Sequence, residues 1–484
     1  MRVMALDVGT SSARALGFDA EGRALPELEA RVVYEPRTTL EGAVEIDADA
    51  LLEAAARALD GCLAGAGAAT PPFEAVGISA FWHGLLALDG EGRPLTAVIT
   101  WADTRSAPAA AELRRLLDEE AVRARTGAPL HAAYFPAKLR WLRGHRPDVF
   151  ARARRWCGFP EYLAWRLTGL WRTSVSMASG TGLMDHATCR WDPALLDLAG
   201  IAPEALPPID DAAARLVEPW ASRWPALAAA RWFPAWGDGA CSSVGSDCVD
   251  PGRIALNVGT SAALRLVGPT AAGTPAGLWR YRLDAARSLV GGATSEGGNV
   301  IAWARRTLAL PADDAALEAA LAAVAPDGHG LAALPFLAGE RSPGWRDDAR
   351  GLVSGLRLGT QPHEILRALM EAIAYRLALI HERLGPLAVS GHAVIASGGA
   401  LLRSPVWTGI VADVLGVPLT LSREPEASSR GAALLALAGL GQAPAPTAPA
   451  GQRVAPDARR HEIYRKALEV QRRLYENVVG PRVS

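Results

Sequence analysis

Two stretches of this chain, 250 positions apart as measured from Asp7 to Asn257, carry nearly the same residues, and this repeat restricts the fold more than any other feature. The first copy is Ala-Leu-Asp-Val-Gly-Thr-Ser-Ser-Ala at residues 5–13, and the second is Ala-Leu-Asn-Val-Gly-Thr-Ser-Ala-Ala at residues 255–263. One repeat at about half the length of the chain favours two related domains over a solenoid, which needs several short repeats. The shared Val-Gly-Thr-Ser core makes a chance recurrence the weaker explanation.

Each copy has the pattern of a strand, a tight loop of small residues and a second strand. After the first loop, residues 13–18 are too few for a helix before the turn at residues 19–22. A Walker loop and a dinucleotide fingerprint both need a helix directly after the glycines, so this context rules against both. The pattern suits a phosphate-binding hairpin, in which backbone N–H groups and hydroxyls face a phosphate and glycine allows close approach.

Asp7 stands at the mouth of the first hairpin, where its carboxylate is predicted to hold Mg²⁺ through water. The second copy has Asn257 at the same position. A single nucleotide site between two domains needs such an asymmetric pair, with one loop that handles the metal and one that does not. Considered without the repeat, Asp7 is better interpreted as a turn-capping residue.

The bulk properties favour a soluble cytoplasmic protein of two or three domains. Half of the 484 residues are hydrophobic, which is enough to bury sizeable cores. The net charge of −1, without long charged runs, disfavours nucleic acid and anionic membranes as partners. The sequence shows neither the pattern of a signal peptide nor an apolar run that spans a bilayer. Five cysteines without a C-x-x-C pair fit a reducing compartment, and Cys241 and Cys248 are interpreted as small buried residues.

The C-terminal half alternates predicted strands and helices. A strand at residues 394–396 precedes a helix with Ser404 as its N-cap and Gly416 at its end. A second helix with one apolar face is predicted from about residue 364 to residue 377. The Pro- and Ala-rich residues 442–451 are interpreted as a linker before a final charged helix. This alternation predicts α/β domains with helices that cover the sheets.

A further candidate for chemistry is the turn Gly-Asp-Gly-Ala at residues 237–240. The flanking glycines allow the carboxylate of Asp238 to reach a cleft without obstruction by neighbouring side chains. An isolated Asp-Gly pair is commonly only a turn, so the motif gains its meaning from the rest of the chain.

The motifs of nearly the whole chain, in number, order and spacing, resemble those of the FGGY carbohydrate kinases. Each motif is weak by itself. They are D-V-G-T-S-S at 7–12, W-H-G at 82–84, W-A-D-T-R at 101–105, Y-F-P-A-K-L-R-W-L at 134–142, W-G-D-G-A at 236–240, N-V-G-T-S at 257–261, G-L-V-S-G-L at 351–356, H-E-I-L-R-A-L-M-E at 363–371, S-G-G-A at 397–400, A-D-V-L-G-V-P at 412–418 and E-A-S-S-R-G-A-A at 426–433.

The resemblance implies an α/β protein with two ribonuclease-H-like domains, of the actin-like ATPase type, and a catalytic cleft between them. The expected N-terminal domain, residues 1–243, holds the sugar site, the phosphate hairpin and the catalytic aspartate. The expected C-terminal domain, residues 244–484, holds most of the nucleotide site. The resemblance also implies ATP and Mg²⁺ as cofactors and a small sugar or sugar acid as acceptor, and a homodimer is compatible with the sequence.

Carried over position by position, the resemblance implies that Asp238 is the general base that orients and deprotonates the sugar hydroxyl. Trp82 and His83 match a sugar-contacting pair in which Trp82 replaces the methionine of xylulose kinases, and plain packing is the alternative for Trp82. Tyr134 is a further expected sugar contact. The expected nucleotide contacts are Thr10, Ser11, Ser12 and Arg14 in the first phosphate loop, and Thr260, Gly298, Gly399 and Arg403 in the second domain.

Within the family, residues 174–185 and 336–351 look more like gluconate kinases than like glycerol or xylulose kinases. Gluconate carries a carboxylate, so a cationic group is expected near the sugar. His83, Arg105 and Lys138 are the candidates for that group. The expected reaction is transfer of the γ-phosphoryl group of ATP to the primary hydroxyl of D-gluconate, which gives 6-phosphogluconate.

Two alternatives stay open at this stage. The first is a xylulose kinase, or another FGGY kinase that acts on a neutral sugar or polyol. The second is a sugar-sensing protein that keeps the fold without the transfer chemistry. The presence of both Asp7 and Asp238 argues against the sensor, because a pure sensor needs no catalytic base.

Overall fold

Two mixed β-sheets organise the chain in the computed structural model, which describes residues 1–65, 72–270, 273–442 and 451–480. Across the first sheet, the strands are Ala24–Val33, Ser12–Asp19, Arg2–Val8, Ala75–Ala80 and Arg231–Trp232, and Trp236–Gly237 also pairs with Ala75–Ala80. Across the second sheet, they are Trp279–Arg282, Arg287–Thr294, Ala262–Pro269, Arg253–Val258, Ala393–Ser397, Leu419–Leu421 and Arg453–Val454.

The two sheets have the same layout around the two copies of the repeated sequence. In each copy, the first strand pairs antiparallel with the strand that follows it and parallel with a later strand. Asp7 lies opposite Ser79 in the first parallel ladder, and Asn257 lies opposite Ser397 in the second. The predicted strand–loop–strand pattern is therefore confirmed in both copies, and so are the two ribonuclease-H-like domains.

Shorter strands and the helices complete the two domains. The remaining strands are Arg37–Thr38, Val44–Ile46, Leu86–Leu88, Val98–Ile99, Arg155–Cys157, Met184–Asp185, Arg190–Trp191, Ala332–Leu334 and Leu352–Ser354. The helices are Ala48–Gly65, Ala107–Leu116, Glu119–Thr126, Phe135–His145, Pro147–Arg152, Phe159–Thr168, Val175–Ser179, Pro193–Ala199, Trp220–Arg223, Pro225–Ala228, Asp238–Gly245, Gly298–Thr307, Asp314–Ala323, Pro362–Leu384, Gly399–Leu402, Pro405–Leu415, Ala427–Gly439 and Ala458–Val478, with 3₁₀ turns at Pro203–Ala205 and Gly385–Leu387.

The local signals in the C-terminal half predict its helices well. The side chain of Ser404 accepts a hydrogen bond from the N–H of Trp407, and Gly416 ends the helix Pro405–Leu415 in the left-handed region, with φ of 66°. The helix predicted from about residue 364 is longer at both ends and covers Pro362–Leu384. It begins earlier because the side chain of Glu364 accepts a hydrogen bond from the N–H of Gln361. It ends later because its buried apolar face continues to Leu384.

The helix Ala427–Gly439 lies late in the chain but packs on the first sheet. It contributes to the same buried core as the strands Arg2–Val8 and Ala75–Ala80, and it crosses the helix Asp238–Gly245 closely. The predicted domain boundary between residues 243 and 244 falls within Asp238–Gly245 and stays a prediction. Each of the two crossing helices is next along the chain to a strand of the second sheet, so the pair joins the two domains.

Three other predictions concern the surface, the cysteines and the linker. Among the described residues, no helix is both long and apolar enough to cross a bilayer. All five cysteines are free, and Cys241 and Cys248 are buried, as predicted. The predicted linker at residues 442–451 lies mostly outside the described residues, and the final charged helix is Ala458–Val478.

Candidate active site

Asp238 lies where the first sheet meets the second domain. The strand Trp236–Gly237 pairs with Ala75–Ala80, and Asp238 is the first residue of the helix that follows. Its side chain accepts a hydrogen bond from the N–H of Gly239 at 2.7 Å. Burial raises the pKa of Asp238, whereas the positive charge of Arg265, the Gly239 hydrogen bond and the positive charge of Arg341 lower it. A buried carboxylate held between these influences is suited to accept a proton from an alcohol.

Trp82 supports the backbone that carries Asp238. A Cβ atom at Gly237 would lie 1.9 Å from Cε2 of Trp82, and a Cβ atom at Gly180 would lie 2.3 Å from its Cδ1. The indole therefore fits between two glycines, and its Nε1 donates to the carbonyl of Ser176 at 3.0 Å. This contact explains the glycine before Asp238 in physical terms. Because Trp82 is 5% exposed, its packing role is evident here, and its direct contact with a sugar stays a prediction.

His83 adopts an unusual backbone conformation that its neighbours hold in place. Its φ of 68° lies in the left-handed region, which is uncommon for a residue other than glycine. Lys138 donates to the carbonyl of His83 at 2.5 Å, and Nδ1 of His83 lies 2.5 Å from the carbonyl of Gly180. Since a carbonyl only accepts, Nδ1 carries the proton and Nε2 is left as an acceptor. Burial, followed by the charge of Arg341, keeps the pKa of His83 well below its usual range, so the ring is neutral.

An aromatic wall from the second domain meets these residues, and the sequence motifs did not reveal it. Tyr281 lies on the edge strand Trp279–Arg282, and its hydroxyl is 2.5 Å from the hydroxyl of Tyr134. The ring of Tyr281 stacks on Trp279 at 4.3 Å and lies 4.9 Å from Trp82. The alternation Trp-Arg-Tyr-Arg was a local signal that Trp279 and Tyr281 share one face of a strand. That signal could not predict the contacts with Tyr134 and Trp82, which lie about 150 to 200 positions earlier in the chain.

Two of the three cations that were expected near a substrate carboxylate are already bonded to other groups of the protein. Lys138 is fully buried and donates to three backbone carbonyls, those of His83, Ile99 and Thr100. Its three N–H bonds are thereby used, although burial lowers the pKa of Lys138 to about 7. Arg105 forms ion pairs with Asp103 and Glu45, which leaves little free charge for a ligand. The third candidate, His83, is neutral.

Two other arginines, which the motifs did not single out, supply positive charge near Asp238. Arg265 lies on the strand Ala262–Pro269, and its Nε would be 2.7 Å from a Cβ atom at Gly239. Arg341 lies in the loop before the helix Pro362–Leu384 and faces Trp101 and Trp345 at 5.5 and 6.0 Å. Among the described residues, the Nε atoms of both arginines are buried without a hydrogen-bond acceptor.

The two hairpin loops differ in the polar pairs behind them. In the first, Ser79 donates to Asp7 at 2.6 Å, and in the second, Asn257 donates to Ser397 at 3.1 Å. Burial raises the pKa of Asp7 to about 6, with Ser79 opposing the shift and the negative charge of Asp238 adding to it. Two neighbouring carboxylates of the first domain that repel each other fit a dication in the space that they share. This side of the cleft therefore fits Mg²⁺.

The first phosphate loop presents small polar residues at the cleft. Its turn is closed by the N–H of Gly9, which donates to the carbonyl of Ser12 at 2.9 Å. Thr10 and Ser11 are partly or fully exposed, while Ser12 is buried. Arg14 lies opposite Asp7 in the hairpin and forms an ion pair with Glu426 at 2.6 Å. Its charge is shared with that acid, and its contact with phosphate stays a prediction.

The predicted nucleotide residues of the second domain gather at one place. The N–H of Gly298 donates to the carbonyl of Gly259 at 2.7 Å, which fixes the helix Gly298–Thr307 beside the second loop. Gly298 and Arg403 line a cavity of about 340 Å³ between helices, and Gly399 lies beside Arg403. Thr260 lines a neighbouring cavity of about 530 Å³ between the two domains, together with Arg341. The smaller cavity fits a nucleotide base, and the larger one extends from Thr260, where it fits phosphate, to Trp101 and Arg341 on its other side.

The two halves of the chain touch across the cleft. Nε2 of His131 lies 2.6 Å from the carboxylate of Asp347, and Arg123 donates to the carbonyls of Thr274 and Pro275 at 2.9 and 2.6 Å. These contacts join the first domain to loops of the second. The two domains are therefore in direct contact at the cleft, and such contact favours transfer of a group that water would otherwise take.

One group of potential metal ligands lies outside the cleft. Asp327, His329 and Glu371 place ligand atoms within 4.8 Å of one another. The N–H of Leu331 donates to Nδ1 of His329, and Arg367 donates to Glu371 at 2.7 Å. Because protein groups already bond to His329 and Glu371, the group is interpreted as a polar network.

The chain is similar to known carbohydrate kinases along most of its length. Residues 2–219 match the N-terminal domain of the FGGY family of carbohydrate kinases, and residues 254–440 match its C-terminal domain. The chain is 28% identical to the gluconokinase of Bacillus licheniformis over 462 residues, covering 91% of this chain and 88% of that protein. It is 34% identical to the glycerol kinase of Rhizorhabdus wittichii over 453 residues, covering 90% and 87%.

Solved structures of similar proteins have the same fold. The gluconate kinase from Lactobacillus acidophilus superposes with a TM-score of 0.90 at 27% identity, covering 99% of this chain and 98% of that one. A xylulose kinase from the same organism gives a TM-score of 0.91 at 27% identity, with the same coverage. With both family domains matched and the hairpins and Asp238 meeting at one cleft, the chain belongs to the FGGY family of carbohydrate kinases, which transfer phosphate from ATP to a sugar.

Proposed function

We propose that this kinase phosphorylates D-gluconate at its terminal primary hydroxyl, with Asp238 as the general base and Mg²⁺ as the cofactor of ATP. The observation that carries the choice of an acid is the positive charge beside Asp238. Arg265 lies beside the Asp238 carboxylate, whereas Arg341 has no carboxylate partner among the described residues and lines the cavity between the domains. A substrate carboxylate would compensate this charge, whereas a neutral sugar would leave it unpaired.

The step at the sugar depends on Asp238. The ionised carboxylate accepts a hydrogen bond from the substrate hydroxyl and aligns its oxygen with the γ-phosphorus. It takes the proton as the new O–P bond forms and the bond from the γ-phosphorus to the bridging oxygen breaks, which releases ADP. The close packing of Trp82 against Gly237 holds this carboxylate in position. Positioning contributes much of the rate because the transition state of phosphoryl transfer is loose.

Both hairpins are placed to bind phosphate, and only the first is placed to bind the metal as well. Backbone N–H groups and hydroxyls of Thr10, Ser11 and Ser12 in the first loop, and of Thr260 in the second, are placed to donate to phosphate oxygens. Mg²⁺ bound beside Asp7 would neutralise charge on the β- and γ-phosphates. Asn257, which carries no charge, leaves the second loop to bind phosphate without a metal.

The relatives support a sugar kinase and leave more than one acceptor open. The gluconokinase and gluconate kinase similarities favour gluconate, as do residues 174–185 and 336–351. The glycerol kinase and xylulose kinase similarities favour a neutral acceptor. We choose gluconate because its negative charge matches Arg341, which has no carboxylate partner in the described part of the chain.

An ADP-release assay across a panel of acceptors tests the proposal. D-gluconate, D-xylulose and glycerol are compared under identical Mg²⁺–ATP, with a sugar-free reaction as the control. We expect kcat/KM for D-gluconate to exceed the other two by about 100-fold or more, since the neutral acceptors leave a partly buried cation unpaired. A higher kcat/KM with xylulose or glycerol would show that the acceptor is wrong while the kinase assignment stands. ADP release that does not depend on any sugar would favour the sensor alternative.

A further inference from the structure

Arg341 is held rigidly by its neighbours in the loop. The preceding residue, Glu340, pairs with Arg376 and accepts a hydrogen bond from Tyr475 at 2.6 Å. The N–H of the following residue, Ser342, donates to the carbonyl of Ala293 at 2.9 Å. Both flanking residues are therefore fixed to the body of the second domain. The acid next to Arg341 in sequence is already neutralised and does not compensate its charge.

The guanidinium of Arg341 is enclosed by aromatic rings instead of acids. It lies over Trp101 from the first domain and Trp345 from its own loop, at 5.5 and 6.0 Å. Its Nε is buried without an acceptor in the described part of the chain. The residue lines the 530 Å³ cavity between the domains. A fixed guanidinium with unused N–H bonds at a cavity is a site for a planar anion.

The charge of Arg341 acts both on Asp238 and on two residues that are expected to contact the sugar. Its positive charge lowers the pKa of Asp238, and it also lowers the pKa of His83 and opposes the rise in the pKa of Tyr134. Arg341 therefore lies close to the residues that are expected to contact the sugar. An anion bound to it would belong to the acceptor substrate that reaches Asp238 through its hydroxyl.

Arg265 occupies a different place and serves a different group. Its Nε lies over Gly239, directly beside Asp238 and Trp82. Among the charged groups that lower the pKa of Asp238, Arg265 has the larger effect and Arg341 the smaller. Arg265 is therefore a positioning residue for the base, and Arg341 is the cation that is free for a ligand.

We propose that Arg341 binds the carboxylate of the substrate in a bidentate pair and so makes the enzyme select sugar acids over neutral sugars of the same length. This inference rests on the proposed function and adds to it the residue that determines specificity. The planar guanidinium matches a carboxylate better than an ammonium does. The tryptophans on both sides exclude water and strengthen the pair.

The test compares two acceptors of equal chain length in matched variants. D-gluconate carries the carboxylate, and D-glucitol has a hydroxymethyl group in its place. We expect Arg341→Met to lower kcat/KM for D-gluconate by about 100- to 1000-fold while changing that for D-glucitol by less than about threefold. Arg341→Lys should restore part of the loss, because it keeps the charge without the planar fork. Arg154→Met is the control, since Arg154 is exposed, donates to the nearby carbonyls of Ala151 and Ala153, and does not line the cavity.

Each outcome either supports or overturns the inference. An equal loss of kcat/KM with both acceptors would indicate that Arg341 binds the phosphates. An unchanged kcat/KM with both would show that Arg341 does not contact the substrate. Both results overturn the inference and leave gluconate as the substrate. A wild-type enzyme that phosphorylates no sugar acid would overturn the proposed function and the inference together, and the wild-type measurements alone reveal that case.

Discussion

Replacing Gly431 with alanine should separate the two helices that join the domains. Gly431 lies on the helix Ala427–Gly439 where it crosses Asp238–Gly245, and a Cβ atom there would be 1.8 Å from the carbonyl oxygen of Cys241. A Cβ atom at Gly245 would be equally close, 1.8 Å, to the carbonyl of Ala427. Ordinary contact begins at 3.4 Å, so the two backbones would have to move apart by the difference, 3.4 − 1.8 = 1.6 Å.

The size of the effect follows from two opposing contributions. Alanine is the better helix former by about 1 kcal/mol, whereas overpacking a tight contact costs roughly 1–3 kcal/mol and more when backbone must move. Because both atoms in the clash belong to helices, we expect Gly431→Ala to lower the free energy of unfolding by about 2 kcal/mol. The helix that shifts also carries Asp238, so kcat/KM should fall as well.

A matched substitution provides the control. Gly409 lies in the helix Pro405–Leu415, and a Cβ atom there meets nothing within 4 Å. Gly409→Ala should therefore stabilise the protein by about 0.5–1 kcal/mol. Urea unfolding and the ADP-release assay are measured on both variants. If Gly431→Ala unfolds at the same urea concentration as Gly409→Ala, the close crossing of the helices is refuted.

Three further predictions address individual side chains. Lys138→Met should lower the free energy of unfolding by about 3 kcal/mol or more, because three buried carbonyls lose their donor. A urea midpoint close to that of the wild type would contradict this. Arg265→Met should move the acidic limb of the pH profile of kcat/KM to higher pH, because it removes a charge that lowers the pKa of Asp238. An unchanged acidic limb would show that Arg265 does not influence the base. Asp7→Ala should raise the Mg²⁺ concentration for half-maximal rate by about 10-fold or more, and Asn257→Ala by less than about threefold, since only Asp7 is anionic. Equal shifts in the two metal titrations would show that the hairpin asymmetry has no role in metal binding.

Local signals in the sequence were sufficient to predict much of the fold. The repeated Val-Gly-Thr-Ser loops form two hairpins at equivalent places in two sheets. Ser404 and Gly416 begin and end their helix as predicted, because capping and left-handed backbone depend on a few adjacent residues. The same locality explains why Asp238 could be singled out, since its flanking glycines are neighbours in sequence.

The electrostatic surroundings of the site could not be read in this way. Lys138 and Arg105 are cations near the sugar motifs, but only the fold shows that carbonyls and acids already occupy them. Arg265 and Arg341 come from the second domain, and the absence of an acceptor for their Nε atoms in the described part of the chain depends on contacts between distant segments. The packing of the helix Ala427–Gly439 on the first sheet is likewise a contact across most of the chain. Such features follow from tertiary packing, which a pattern of neighbouring residues does not determine.

The most direct test of the account is the rate of phosphoryl transfer by Asp238→Asn. The substitution keeps the shape of the side chain and removes its ability to take a proton, so folding and ATP binding should remain at the wild-type level. We expect kcat with the best acceptor to fall by about 10²- to 10⁴-fold, the range for loss of a positioned general base. A variant that binds ATP normally and turns over at nearly the wild-type rate would contradict the assignment of Asp238 as the base.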